Sequence, residues 1–116
     1  MNFDEAIQAH AAWKIKLSNY LRKPDGSLKS ADVQPDNKCP LGQWIHGDGA
    51  KLATLAEYAT LKTEHAKFHL AAAEVIKKAD AGQNTSEETA LGSKSAFGTA
   101  SSNVVSAIMA MKKKAP

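Results

Sequence analysis

Two histidines four residues apart, His65 and His69, a third at His10 and the chain's only cysteine, Cys39, constrain this sequence more than anything else in it. Three imidazoles and one thiol form the complete donor set of a closed tetrahedral zinc site. A spacing of i, i+4 places His65 and His69 on one face of a helix, with Cβ atoms about 5–6 Å apart, within reach of one ion. His10 and Cys39 then have to arrive from separate elements. Nitrogen and thiolate donors suit zinc better than calcium or magnesium, which take oxygen, although copper and iron share these ligand types. The metal reading therefore predicts His10, Cys39, His65 and His69 as ligands, and a fold that brings three segments to one point.

Hydrophobic periodicity predicts what those segments are. Asn2, followed three residues later by Glu5, has the form of a helix start. Phe3, Ile7, His10, Leu17 and Leu21 then recur on one helical face, with Trp13 flanking it, so His10 points to the core. The stretch from Arg22 to Lys38 has no helical period. It carries the turn signals Pro24-Asp25-Gly26-Ser27 and Pro35-Asp36-Asn37, and reads as a long loop delivering the chain to Cys39. Pro40 is pre-set for the first position of a helix, so Pro40 to Ile45 reads as a single helical turn ended by Gly47-Asp48-Gly49. A long helix is expected from near Leu55, capped by Thr54 with Glu57. It carries Leu61, His65, Phe68, Ala72, Val75 and Ala79 on one face, with His69 and Ile76 beside them, and stops at Gly82. A last helix is expected after Asn84-Thr85-Ser86, with a Thr85/Glu88 cap and Ala90, Phe97, Ser101, Val104, Ile108 and Met111 inward. Gly92 and Gly98 would each cost it about 1 kcal/mol relative to alanine.

The expected fold is all-α: a bundle of three long helices, with a short helical turn carrying the cysteine and able to complete a four-helix bundle. At 116 residues, one domain over 1–116 is expected, with a basic tail at 112–116. Lys112, Lys113 and Lys114 suit a helix C-terminus and fall short of a lipid-binding cluster. Fifteen basic against twelve acidic residues is too balanced to argue for nucleic acid. No stretch approaches a membrane span, the acidic N-terminal segment is no signal peptide, and one cysteine makes no internal disulfide. These features predict a cytoplasmic protein.

Together, His10-Ala11-Ala12-Trp13, Cys39-Pro40-Leu41-Gly42-Gln43-Trp44 and His65-Ala66-Lys67-Phe68-His69, with Ala72-Ala73-Glu74-Val75 after it, resemble the chemoreceptor zinc-binding (CZB) domain family over nearly the whole chain. That resemblance implies a helical bundle holding zinc on three histidines and one cysteine, which carries over to His10, Cys39, His65 and His69. It implies a cytoplasmic regulatory domain, often a homodimer, that acts on a chemoreceptor or a diguanylate cyclase. Zinc, or an oxidant at the zinc-bound cysteine, would be the signal. The sequence has neither a methyl-accepting coiled coil nor a cyclase domain, so the resemblance leaves the output partner unassigned.

Other residues receive plainer readings. His46 has no place in the ligand pattern and is expected at the surface. Trp13 and Trp44 are expected to pack around the site, and Glu64 to face solvent. Asp36, Asp48 and Glu57 are candidates for orienting a ligand imidazole. Two other classes compete with a regulatory domain. A zinc hydrolase needs an open coordination position, and here four donors close the shell and no HExxH motif is present. A di-iron or haem bundle needs a carboxylate set with Glu-x-x-His spacing, or axial His/Met ligation, neither of which the sequence matches.

Overall fold

A computed structural model of the chain describes residues 2–82, 90–92 and 94–114. Three long helices dominate them: α1 (Phe3–Arg22), α4 (Ala56–Asp80) and α5 (Ala96–Lys114). Between α1 and α4 run α2 (Ser30–Val33), α3 (Pro40–His46) and a 3-10 turn over Asp48–Leu52. The fold is the expected all-helical bundle, and the described residues contain no strand.

Each start and stop has a local cause. Asn2 caps α1, its side chain accepting the Glu5 N–H at 3.1 Å. Beyond α1, Gly26 takes a positive φ of 78°, and its N–H donates to Tyr20 Oη at 3.2 Å. The same phenol donates to Asp80 Oδ1 at 2.5 Å, joining the ends of α1 and α4 to the loop. Proline at the first helical position starts α3, and Gly47 ends it.

The central helix α4 buries Tyr58, Leu61, His65, Phe68, His69, Ala72, Ala73, Val75, Ile76 and Ala79. These include every residue of the expected stripe. Its most extensive packing is with α5, whose Phe97, Ala100, Val104, Ala107, Ile108 and Met111 are buried. Phe68 sits where the core meets the histidines, 5.3 Å from the Phe97 ring centroid and 5.2 Å from that of His10. Tyr58 donates to the Ile45 carbonyl at 2.5 Å, pinning the C-terminal end of α3 to α4.

Several expectations need correction. The loop from Arg22 to Lys38 is broken by α2, because Val33 is buried against the core and draws one helical turn down with it. The Thr54 cap does not form: Leu55 occupies the N-cap position with no side-chain hydrogen bond, since Leu52 and Leu55 pack on the core and fix the chain's path there. Gly47-Asp48-Gly49 ends α3, but the chain passes directly into the 3-10 turn. The Thr85/Glu88 cap lies outside the described residues. Among those described, α5 starts at Ala96, where the Ser95 hydroxyl accepts the Gly98 N–H at 2.9 Å and donates to the Gly92 carbonyl at 2.6 Å. Gly92 is therefore outside α5, and Ser101 is only half-buried on it. Lys112, Lys113 and Lys114 lie in the last turn of α5, the helix C-terminus they were expected to suit, and Lys112 pairs with Asp4 at 2.7 Å.

Candidate metal centre

His10 comes from the middle of α1, Cys39 from the N-cap of α3, and His65 and His69 from the middle of α4. Each of the four offers one donor atom, and the four atoms lie within 4.8 Å of one another. Cys39 Sγ is 3.2 Å from His65 Nε2 and 3.6 Å from His69 Nε2, and the two imidazole nitrogens are 3.0 Å apart. Donors held tetrahedrally at zinc bond lengths stand about 3.3–3.6 Å from each other, so the Cys39, His65 and His69 donors are within a few tenths of an ångström of the spacing for sharing one ion.

Hydrogen bonds on the far side of two rings settle their tautomers. A carbonyl oxygen only accepts, so His10 Nδ1 donates to the Ala6 carbonyl at 2.8 Å, and His69 Nδ1 donates to the Val33 carbonyl at 2.7 Å. In the neutral rings this leaves Nε2 as a lone pair. Lone pairs and a thiol sulfur thus converge at a place from which water is largely excluded. His65 is fully buried, His10 is 3% exposed and His69 is 5% exposed. Such a cluster is costly without a cation, because the donors have little else to bond. His65 turns its Nε2 into the cluster, while its Nδ1 is buried with no hydrogen-bond partner. The donor set and its spacing fit zinc.

Burial sets the electrostatics. It holds His65 down at about 3 against an ordinary 6.5, with the neighbouring His69, His10 and His46 adding to the effect. It also holds His10 below 6.5, in spite of the opposing hydrogen bond to Ala6. The Cys39 thiol is pushed above its ordinary 9.0 by burial, against the N–H groups of Gly42 and Leu41 that would favour the thiolate. The Gly42 N–H meets Sγ at 3.4 Å, so the sulfur itself caps α3.

Gly42 is required where it stands. A Cβ there would overlap the carbonyl of Asp36 and crowd Asn37, both backbone. Gly42→Ala is expected to push the 36–38 segment away, cost about 2 kcal/mol or more by the logic of overpacking, and weaken metal binding with it. Urea unfolding and a zinc titration on the variant check both effects.

The structure brings together all four expected donors. It leaves His46 exposed and outside the cluster, with Nε2 3.6 Å from Asp36 Oδ1. Trp44 packs edge-on against Phe3 at 5.3 Å, and Trp13 lines a cavity beside the site with Lys16 over its ring. The orienting groups are not Asp36, Asp48 or Glu57 but the backbone carbonyls of Ala6 and Val33. A buried apolar residue inside the long loop was the available signal for Val33. Glu64 is not solvated as expected. One helical step from His65 leaves it on the flank of the buried face, its Oε2 buried without a hydrogen-bond partner and its Oε1 3.7 Å from Lys67.

Three helices that converge on a closed set of three nitrogens and one sulfur define an all-helical metal-binding domain. The family model of the chemoreceptor zinc-binding domain matches residues 10–76, and the chain belongs to that family. Its metal is zinc. No curated protein and no solved structure matches the chain. Among the described residues, no helix is long and apolar enough to cross a membrane.

Proposed function

We propose that the chain is a single cytoplasmic sensory module in which His10, Cys39, His65 and His69 hold one zinc ion and couple its presence to a signalling partner. The convergence of these donors from α1, α3 and α4 carries the reading. Zinc, when bound, supplies a redox-inert cation that keeps Cys39 as thiolate. The protein's own part is mechanical. Tyr58 fixes the far end of α3 through the Ile45 carbonyl, which leaves the Cys39 end as the free one. Holding Cys39 beside His65 and His69 clamps that end onto α4. Losing the metal, or oxidising the sulfur, releases the Cys39 end of the segment from about Asp36 to Asp48.

Family membership supports a chemoreceptor or a diguanylate cyclase as the output partner, and a homodimer as the working form. Exposed Ile15, Leu70 and Met109 supply apolar surface for such contacts. A regulatory rather than catalytic role is supported by the four donors, which together would fill a tetrahedral shell and leave no position for a substrate.

Elemental analysis of protein purified without added metal, joined to a zinc competition titration, tests the reading. The expected result is one zinc per chain, with Cys39→Ala weakening affinity by about a hundredfold while the three imidazoles retain some binding. An unchanged affinity in Cys39→Ala would remove the sulfur from the site. An affinity in the femtomolar range would mark a sensor of scarce zinc, and a site that never empties would mark a redox or structural role.

A further inference from the structure

A cavity of about 510 Å³ lies between α1 and the start of α3. Its walls are mainly apolar, built from Ala9, Ala12, Trp13, Pro40 and Leu41. His10 and Cys39 also line it, whereas His65 and His69 do not. Cys39 is half-buried and lines the cavity, and the three histidines are buried, so Cys39 is the residue of the cluster most open to an approaching molecule. A second cavity of about 490 Å³, between α2 and α4, is bounded by Pro35, Asp36, Ala66 and Leu70 and contains no donor.

We propose that the α1–α3 cavity is the access site of the Cys39 sulfur: it binds small uncharged molecules and passes them to that sulfur, and it disfavours charged ones. The size lies within the range of small-molecule sites, and the lining is of the kind such sites use. The formal charges on its wall, Glu5 and Lys16, are one of each sign and give no net attraction to an ion. Moving an ion against alanine, proline and leucine costs desolvation that a neutral molecule of the same size avoids. Which reagents reach the sulfur is then set by the alanine-lined wall of α1 as well as by the sulfur's own chemistry. Access to the thiol stands apart from the zinc reading, which enters only through the protection zinc would give the sulfur.

The test is alkylation of Cys39 in metal-free protein. The sulfur displaces iodide from iodoacetamide, an S–C bond forms as the C–I bond breaks, and the thiol proton passes to buffer. The preference for neutral iodoacetamide over anionic iodoacetate is expected to exceed that of the urea-unfolded chain by about fivefold. Ala9→Leu and Ala12→Leu, which narrow the cavity, are each expected to slow the reaction with iodoacetamide by about fivefold. Ala66→Leu, on the second cavity, is expected to leave it unchanged. Far-UV circular dichroism keeps folding in view, and two filling variants guard against the loss of either. Equal rates in the filling variants, or slowing by Ala66→Leu instead, would overturn the proposal. Failure of zinc to protect Cys39 would count against the zinc reading and leave the cavity result intact.

Discussion

Removing zinc is expected to lower the thermal midpoint of this protein by about 15 °C. A ligand that binds only the folded state adds about 4 kcal/mol at a thousandfold excess over its dissociation constant. For a chain of this length each kcal/mol moves the midpoint by about 3–5 °C. The buried cluster gives a structural reason for the large response. His10 and His69 spend their Nδ1 protons on the Ala6 and Val33 carbonyls, so their Nε2 lone pairs are turned into a buried cluster where a cation can take them up together with His65 and Cys39. The ion also joins α1, α3 and α4, adding to the packing of Phe68 and the histidine rings between α1 and α4 and to the Tyr58–Ile45 hydrogen bond between α4 and α3. Melting curves with saturating zinc and with chelator measure the shift. His46→Ala should keep it whole, because His46 stands outside the cluster, and His10→Ala should lose most of it. Superimposable curves with and without chelator would show that the cluster holds no stabilising ion.

The long elements and the donor set were legible because both are written in short-range spacing. Four-three periodicity marked α4 and its buried stripe, and the Asn2 and Pro40 signals marked the starts of α1 and α3. His65 and His69 were readable as a pair because a helix makes i and i+4 neighbours whatever else the fold does. What escaped was decided by tertiary contact. The one-turn helix α2 exists because Val33 is buried, and only its burial places the Val33 carbonyl 2.7 Å from His69. Candidate carboxylates drew attention as orienting groups because side chains are visible in a sequence and backbone carbonyls are not. The Thr54 motif was a valid local signal overruled by Leu52 and Leu55 reaching the core. Glu64 was misplaced because a helix face is a stripe with flanks and not a two-sided ribbon.

Zinc binding is expected to release one more proton at pH 7 from the native protein than from Cys39→Ala, and its affinity is expected to rise about tenfold more steeply per pH unit. The Cys39 thiol is held above 9.0 by burial, so at pH 7 the metal-free protein carries a proton on sulfur that must leave when the thiolate ligates. His65, at about 3, is a neutral imidazole at that pH and has no second proton to release, and burial shifts His10 the same way, below 6.5. The same shifts fix the pH profile of the metal-free fold. Below 6.5 the unfolded chain takes protons that His65 and His10 refuse in the folded state, so their contribution is present above 6.5 and is lost as the pH falls toward 3. The thiol acts in the opposite sense: its contribution is complete below 9.0 and is lost as the pH rises through its raised value. Stability without metal is therefore greatest between these limits, and there, too, zinc competes with the fewest protons on nitrogen. Calorimetric titration of zinc in buffers of different ionisation enthalpy counts the protons directly. If the native protein and Cys39→Ala release the same number, sulfur is not a ligand, and the clamp that ties the start of α3 to α4 has to be sought in the histidines alone.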